Sequence, residues 1–204
     1  MSEPLKDSLK TLMFWTLKLI SAPVWLLYLL LKPMTQPDEL TSGFAQLISL
    51  LPGKIGVYLR KACLETILEH CHRSAFVGFG TLFSQRGTHI QENVYIGPQC
   101  NIGKCVIERN CLLGSGVHIM SGKGQHNFTD LDTPIKDQGG TFASIRIGED
   151  SWLGNGSLIM ANVGTKCIVA AGAVVIDDVP DYSIVAGNPA RIIKNRRENT
   201  QSIA

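Results

Sequence analysis

"IQENVYIGPQCNIGKCVIERNCLLGSGVHI", residues 90–119, places aliphatics at Ile90, Ile96, Ile102, Ile107, Leu113 and Ile119, and all but one of these intervals is six residues. The pattern resumes at Ile147, Leu153 and Ile159, then at Val169 and Val175. Four positions after an aliphatic stands a small or β-branched residue: Val94, Cys100, Val106, Cys111, Val117, Ser151, Ser157, Val163, Ala173 and Val179. Glycine often follows the aliphatic directly, as at Gly97, Gly103, Gly114, Gly148 and Gly154. Two coupled positions kept in phase over this length mark a solenoid. Each hexad is a short strand and a corner, and three make a triangular coil with the aliphatics filling the prism. Stacked coils bury one another's aliphatic layer and pair their backbones along the axis. The fold class is therefore mainly β, a β-helix with helices before it. The five-residue step from Ile102 to Ile107 and the ten-residue step from Ile159 to Val169 are expected to tighten their coils. Cys100 and Cys111 fall at small inward sites and read as core.

Residues 120–146 obey no period, and in a β-helix such a stretch must leave the prism as an arm. It carries His126. His118, last in its hexad, is expected to point outward into a groove, and His89 shares its phase. Trp152, just before Leu153, also faces outward by phase, where it lines a substrate channel or an interface. His70 and His72 fall in a helical region and read as ordinary polar residues.

The 204 residues, 45% hydrophobic with a formal charge of +2, suffice for one well-buried domain plus an appendage. Near-balanced charge argues against nucleic-acid binding, and the basic cluster Lys194, Arg196 and Arg197 reads as a solvated tail. Six cysteines without a C-x-x-C pair indicate neither zinc nor a disulfide framework, and a reducing compartment is the simpler inference. Residues 12–31, "LMFWTLKLISAPVWLLYLLL", are apolar around the whole helical circumference except at Lys18 and long enough to cross a bilayer. Trp15, Trp25 and Tyr28 suit a headgroup boundary, whereas Lys18 and Pro23 favour a tilted, kinked or half-inserted helix. A helix packed on the rest of the protein is the alternative. No cleavage site follows, so a removable signal peptide fits poorly. Boundaries are expected at 1–40 for this helix and its proline-containing linker, 41–73 for two amphipathic helices broken at Pro52-Gly53, 74–194 for the solenoid and 195–204 for the tail. Lys54, Arg60 and Lys61 of the second region are read as a solvated face able to meet anionic lipid.

The hexads, "IGEDSWLGNGSLIM" at 147–160 and "AAGAVVIDDVPDYSIVAGNPARII" at 170–193 resemble the hexapeptide-repeat acyltransferases, above all the sugar and maltose O-acetyltransferases and the xenobiotic acetyltransferases. The resemblance implies a left-handed parallel β-helix, an exception to the right-handed crossover rule. It also implies a homotrimer with acyl-CoA in the grooves between subunits. "SGKGQHNF" ahead of "IGEDSWLG" matches the order in which relatives present a catalytic histidine, here His126. His118 is the second candidate. Asp130 and Asp132 are candidates to orient the imidazole. Matching positions assign Asn155 and Ala171 to the pantetheine arm of acetyl-CoA or another acyl-CoA, with Arg191 and Lys194 near the nucleotide phosphates. Gly187-Asn188-Pro189 is the turn that places Arg191. Where relatives carry Thr-Lys this chain has Ile176-Asp177, and a carboxylate cannot replace that lysine.

A neutral imidazole is suited to take the hydroxyl proton as an alcohol attacks a thioester. The expected function is a membrane-associated acyl-CoA-dependent O-acetyltransferase, acting on a saccharide or lipid-linked acceptor at the cytoplasmic face without a metal. Two alternatives are a trimeric carbonic anhydrase-like enzyme with His89, His118 and His126 as metal ligands, and a non-catalytic scaffold.

Overall fold

The computed structural model describes residues 3–201: four helices, then a parallel β-helix of about six turns. The first face of the prism pairs His70–Cys71, His89–Ile90, Cys105–Ile107 and Ile145–Ile147 in parallel, and bridges carry it on from Ile147 to Val163 and Val179. Along the second face Ile96, Leu113, Leu153 and Val169 stack inward, and along the third Ile102, Ile119, Ile159 and Val175 do so. All eight are buried. The last strand, Arg191–Asn195, returns antiparallel on Ser183–Ala186 and closes that end.

Three positions depart from the sequence reading. Val106, expected inward, is the middle residue of Cys105–Ile107 and faces outward, because the five-residue step turns Cys105 and Ile107 into the core. Val163 and Val179, expected at small corner sites, occupy the aliphatic slot of the first face. The long step after Ile159 is thus a four-residue corner followed by a full hexad. A first coil, with Cys71, Val77 and Phe83 inward, precedes Ile90, and His70 belongs to its opening strand rather than to a helix.

The glycines after the aliphatics sit where one coil crosses the next. A Cβ on Gly97 would come within 2.8 Å of the Gly114 carbonyl carbon. At another corner Asn93 and Asn110 both hold a left-handed backbone, and the Asn93 amide donates to Asn110 Oδ1 at 3.2 Å. Small inward polar groups donate to the neighbouring coil: Thr81 Oγ1 to the Gly97 carbonyl and Ser151 Oγ to the Gly164 carbonyl, both at 2.8 Å. All six cysteines are free and buried. Burial pushes the Cys111 thiol up to about 12, leaving it inert.

Glu3–Ile20 (α1) and Ala22–Leu31 (α2) meet at a 57° bend beside Ser21 and Pro23. No single helix among the described residues is long and apolar enough to cross a membrane, so the straight span that residues 12–31 permit by length is not formed. One flank packs on Pro37–Ser49 (α3) and Gly53–Ile67 (α4), which in turn contact the first coil. Pro37 starts α3 inside the stretch expected to be linker, consistent with proline's tolerance at the first helical turn. Tyr28, expected at a headgroup boundary, is fully buried. Its hydroxyl donates to the Ile67 carbonyl at 3.1 Å and its ring meets Phe44 edge-on. Arg60 is likewise no solvated face: it is buried, donating to the backbone carbonyls of Val77 and Leu51, and desolvation lowers its pKa. These bonds fasten α4 to the first coil.

Leu113 and Leu112 are adjacent, one wholly inside and one outside. Leu113→Ala should destabilise the protein by about 2–5 kcal/mol in chemical denaturation, whereas Leu112→Ala should cost less, since it leaves the buried column intact.

Candidate functional site

The excursion leaves the third face after Ile119 and rejoins the first at Ile145. Its two legs pair antiparallel: the Ala143, Thr141 and Asn127 amides donate to the carbonyls of Ser121, Gly124 and Gly139 at 2.7–2.9 Å. Ser121 Oγ accepts the Lys104 amide at 2.8 Å and roots the first leg in the solenoid. Further out, Lys123 Nζ stands 3.2 Å from Asp177 Oδ1 and ties that leg to a coil two turns on. His126 rides this leg, exposed to solvent and without a hydrogen bond among the described residues.

Asp130 does not orient it. Its carboxylate accepts the Thr133 hydroxyl at 2.7 Å and the Asp132 amide at 2.9 Å, closing a local turn, and these bonds hold its carboxyl below the usual range. Asp132 is exposed and makes no bond to His126 among the described residues.

His118 lies on the third face between Asn101 and Leu158 in register, pointing outward as its phase requires. It lines a cleft of about 390 Å³ beneath the root of the loop, together with Ser84, Asn101, Met120 and Gln125. The fold thus brings His118 beside the residue that precedes His126. His89 is on the first face, its Nε2 3.5 Å from Glu69, and His72 Nδ1 is 2.7 Å from Ser74 Oγ. The three histidines of the metal reading therefore belong to the first face, the third face and the loop. Among the described residues no group of three His, Cys, Asp or Glu is arranged to hold a metal ion.

Asn155 and Ala171 share one corner of the prism on successive coils, both exposed, and the Gly172 amide donates to the Asn155 carbonyl at 2.9 Å. Asn155 Oδ1 accepts the Ser115 amide at 3.1 Å, and its side-chain amide nitrogen has no hydrogen bond among the described residues. Arg191 and Lys194 stand exposed on the closing strand, and among the described residues Arg191 donates its side chain only to the carbonyl of Ala190. Arg191 shares a cleft of about 400 Å³ with Asp177 and Asp178. Asp177 is met by Lys123, and Asp178 accepts the backbone amide and side chain of Asn162. The carboxylate that looked misplaced in the sequence therefore carries its own cation, and neither Arg191 nor Lys194 has an ion pair among the described residues.

Trp152 stands outward on the second face, 48% exposed, in register with Leu112 and Ile168. Below them Tyr95 stacks on Phe76 at 4.6 Å. An apolar stripe thus runs up this face. Lys123, Gln125 and Tyr95 went unread in the sequence, and the unmatched charge of Asp177 was the available signal for Lys123.

Residues 87–121 match the bacterial transferase hexapeptide (six repeats) family. Over 101 residues, 48% of this chain and 29% of the relative, the sequence is 37% identical to serine acetyltransferase 2 of Arabidopsis thaliana. The structure superposes on the maltose O-acetyltransferase from Clostridium difficile 630 with a TM-score of 0.67, covering 79% of this chain and 89% of that one at 20% identity. It superposes on a galactoside acetyltransferase in complex with coenzyme A with a TM-score of 0.59, covering 82% and 86% at 17% identity. At these identities the two likenesses show the fold, a left-handed β-helix. The chain spans 25% to 63% of the length of the curated relatives it matches. Repeat, coil and likeness together make the solenoid similar to the hexapeptide-repeat transferases in sequence over residues 87–121 and in fold over most of the chain.

The Lys123–Asp177 pair is exposed, so it adds little to global stability while holding the first leg. Asp177→Lys should speed amide hydrogen exchange at Asn127 and Thr141 without shifting the melting temperature.

Proposed function

We propose that the protein is an acyl-CoA-dependent acyltransferase, transferring an acetyl group to a hydroxyl of a saccharide or lipid-linked acceptor. The observation that carries this reading is the one long excursion from an otherwise unbroken solenoid, rooted at Ser121, latched at Lys123 and presenting His126. His126 takes the acceptor's proton as its oxygen attacks the thioester carbon. The tetrahedral intermediate then collapses, the C–S bond breaks, and the proton passes to the departing thiolate. Backbone amides along the groove supply the oxyanion contacts. Asn155 and Ala171 bind the pantetheine arm, and Arg191 and Lys194 the phosphates. The name of the Arabidopsis relative and the coenzyme A in the galactoside enzyme support the acyl donor. The names of the two structural neighbours support a sugar acceptor.

Assembly as a homotrimer is supported by the apolar stripe of Tyr95, Leu112 and Trp152, whose large side chains are each 40% exposed or more in the single chain. Attachment to the cytoplasmic face of a membrane is supported by the apolar outer flank of α1 and α2 and by six free cysteines. Attachment would hold the enzyme near an acceptor in the bilayer and raise its effective concentration.

His118, in the cleft under the loop, is the second candidate base. His126→Ala should leave the melting temperature unchanged and lower acetyl transfer by roughly 10²- to 10⁴-fold while sparing CoA binding. If His118→Ala abolishes transfer and His126→Ala does not, the base lies on the third face. Activity in both variants removes the histidine mechanism. Arg191→Glu should weaken CoA binding in calorimetry by replacing a phosphate partner with a repelling charge; unchanged affinity would exclude Arg191 from the site.

A further inference from the structure

The cleft assigned to the donor phosphates carries the wrong balance of charge for them. Among the described residues Arg191 is the one cation in its lining, and it faces the carboxylates of Asp177 and Asp178. Two acids against one guanidinium repel a polyanion. Asp178 is fixed in the wall, since it accepts the backbone amide of Asn162 at 2.9 Å and the side-chain amide at 3.3 Å. Asp177 is different: its side chain is 72% exposed, and its carboxylate is met from the arm by Lys123 Nζ at 3.2 Å.

Asp177 also belongs to two clefts at once. It lines the Arg191 cleft on one side, and on the other it lines, with Gly122, Lys123, Ala143 and Met160, a cleft of about 530 Å³ between the arm and the coils. Lys123 brings its charge to this shared wall only while the first leg lies against the solenoid. It stands three residues before His126, about 10 Å along an extended chain. Two bonds to the opposite leg flank His126: the Gly124 carbonyl accepts the Thr141 amide at 2.7 Å, and the Asn127 amide donates to the Gly139 carbonyl at 2.9 Å. The leg therefore moves as one piece, and the place of the Lys123 ammonium reports the place of the His126 imidazole. With the leg lifted, two acids oppose one cation at the cleft; with it latched, the two signs balance. A polyanion beside Arg191 then binds the latched arrangement more tightly, and by linkage its binding holds the arm down to the same degree.

We propose that Lys123 is a positioning residue that couples donor binding to closure of the arm. Acyl-CoA in the Arg191 cleft favours the latched leg, and the latched leg sets His126 over a loaded donor in preference to an empty groove. The coupling rests on the donor and the base put forward above and adds to them a regulation of the base by the donor. An exposed pair of charges is worth little in water, so the effect is modest, roughly two- to fivefold in donor affinity.

Calorimetry with CoA, together with amide hydrogen exchange, tests this on the full chain with Lys123→Gln, Lys123→Arg, Asp177→Asn and the double variant Lys123→Gln/Asp177→Asn. CoA should slow exchange at Asn127 and Thr141 in the parent chain and not in Lys123→Gln. Lys123→Gln should bind CoA roughly two- to fivefold more weakly, and Lys123→Arg, which keeps the charge, should match the parent. Asp177→Asn loses a repelling acid along with the latch and should bind CoA no more weakly than the parent. Added to Asp177→Asn, Lys123→Gln should cost little further, because a lysine no longer held at the wall gives its charge to solvent. Every variant should melt with the parent, since both side chains are exposed; a lowered melting temperature in Lys123→Gln would assign the residue to folding and sink the proposal. An equal loss of CoA affinity in both backgrounds means that Lys123 meets the phosphates without the latch, which overturns the coupling. CoA binding that Arg191→Glu weakens, with Lys123→Gln silent and arm exchange unmoved by CoA, also overturns it and leaves the donor reading standing. If the parent chain binds no CoA, the donor reading falls and the coupling falls with it.

Discussion

Everything in this molecule depends on coils stacking without a gap, which requires an apolar side chain at each inward face position and almost nothing where the backbone turns a corner. The interior is a column of single side chains, each resting on the one above and the one below. An error in one layer is therefore felt by two others. Gly97 against Gly114 shows how close the corners pass. Thr81 and Ser151 show how small polar groups are admitted, each donating to the carbonyl of the adjacent coil. The regularity explains why chemistry is confined to departures from it: a groove residue such as His118 can only point outward, and a longer reach needs an arm.

The arm is tethered rather than free. Ser121 roots it through the Lys104 amide, its legs pair with each other, and Lys123 reaches Asp177. The same ion pair offsets a carboxylate beside Arg191, so one side chain both restrains the leg of His126 and reduces the negative charge of the Arg191 cleft. Asp130 is occupied in closing the distal turn, which leaves the imidazole of His126 without a carboxylate partner among the described residues.

The hexads made the prism legible from Ile90 to Val175, because a six-residue period has few other physical solutions. Legibility failed where length, not composition, changed. The four-residue corners before Val163 and Val179 look like missing hexads until the pairing of Ile147, Val163 and Val179 is seen. In the first coil Cys71 and Phe83 stand where aliphatics would mark the period and only Val77 keeps it, so that coil merged with the helical pattern before it. The bend at Ser21 was foreshadowed by Pro23, but the burial of Tyr28 and Arg60 was not. A tyrosine hydroxyl and a guanidinium are placed inside by distant carbonyls, those of Ile67, Val77 and Leu51, which no local pattern announces. His126 and the residues assigned to coenzyme A were reached through resemblance, since an exposed histidine in a polar loop has no signature of its own.

The helical cap covers the open end of the first coil, through α4 on the strands of Cys71 and Val77 and α3 on that of Phe83. An uncovered coil presents a row of unpaired amides and carbonyls, a template on which another β-helix could grow end to end. Tyr28 and Arg60 fix the cap in place, so α3 and α4 block end-to-end growth while α1 and α2, packed on them, face outward with Leu19 and Leu30. A truncation after residue 40 removes the start of α3 along with the apolar flank, and would trade a sticky surface for a sticky edge.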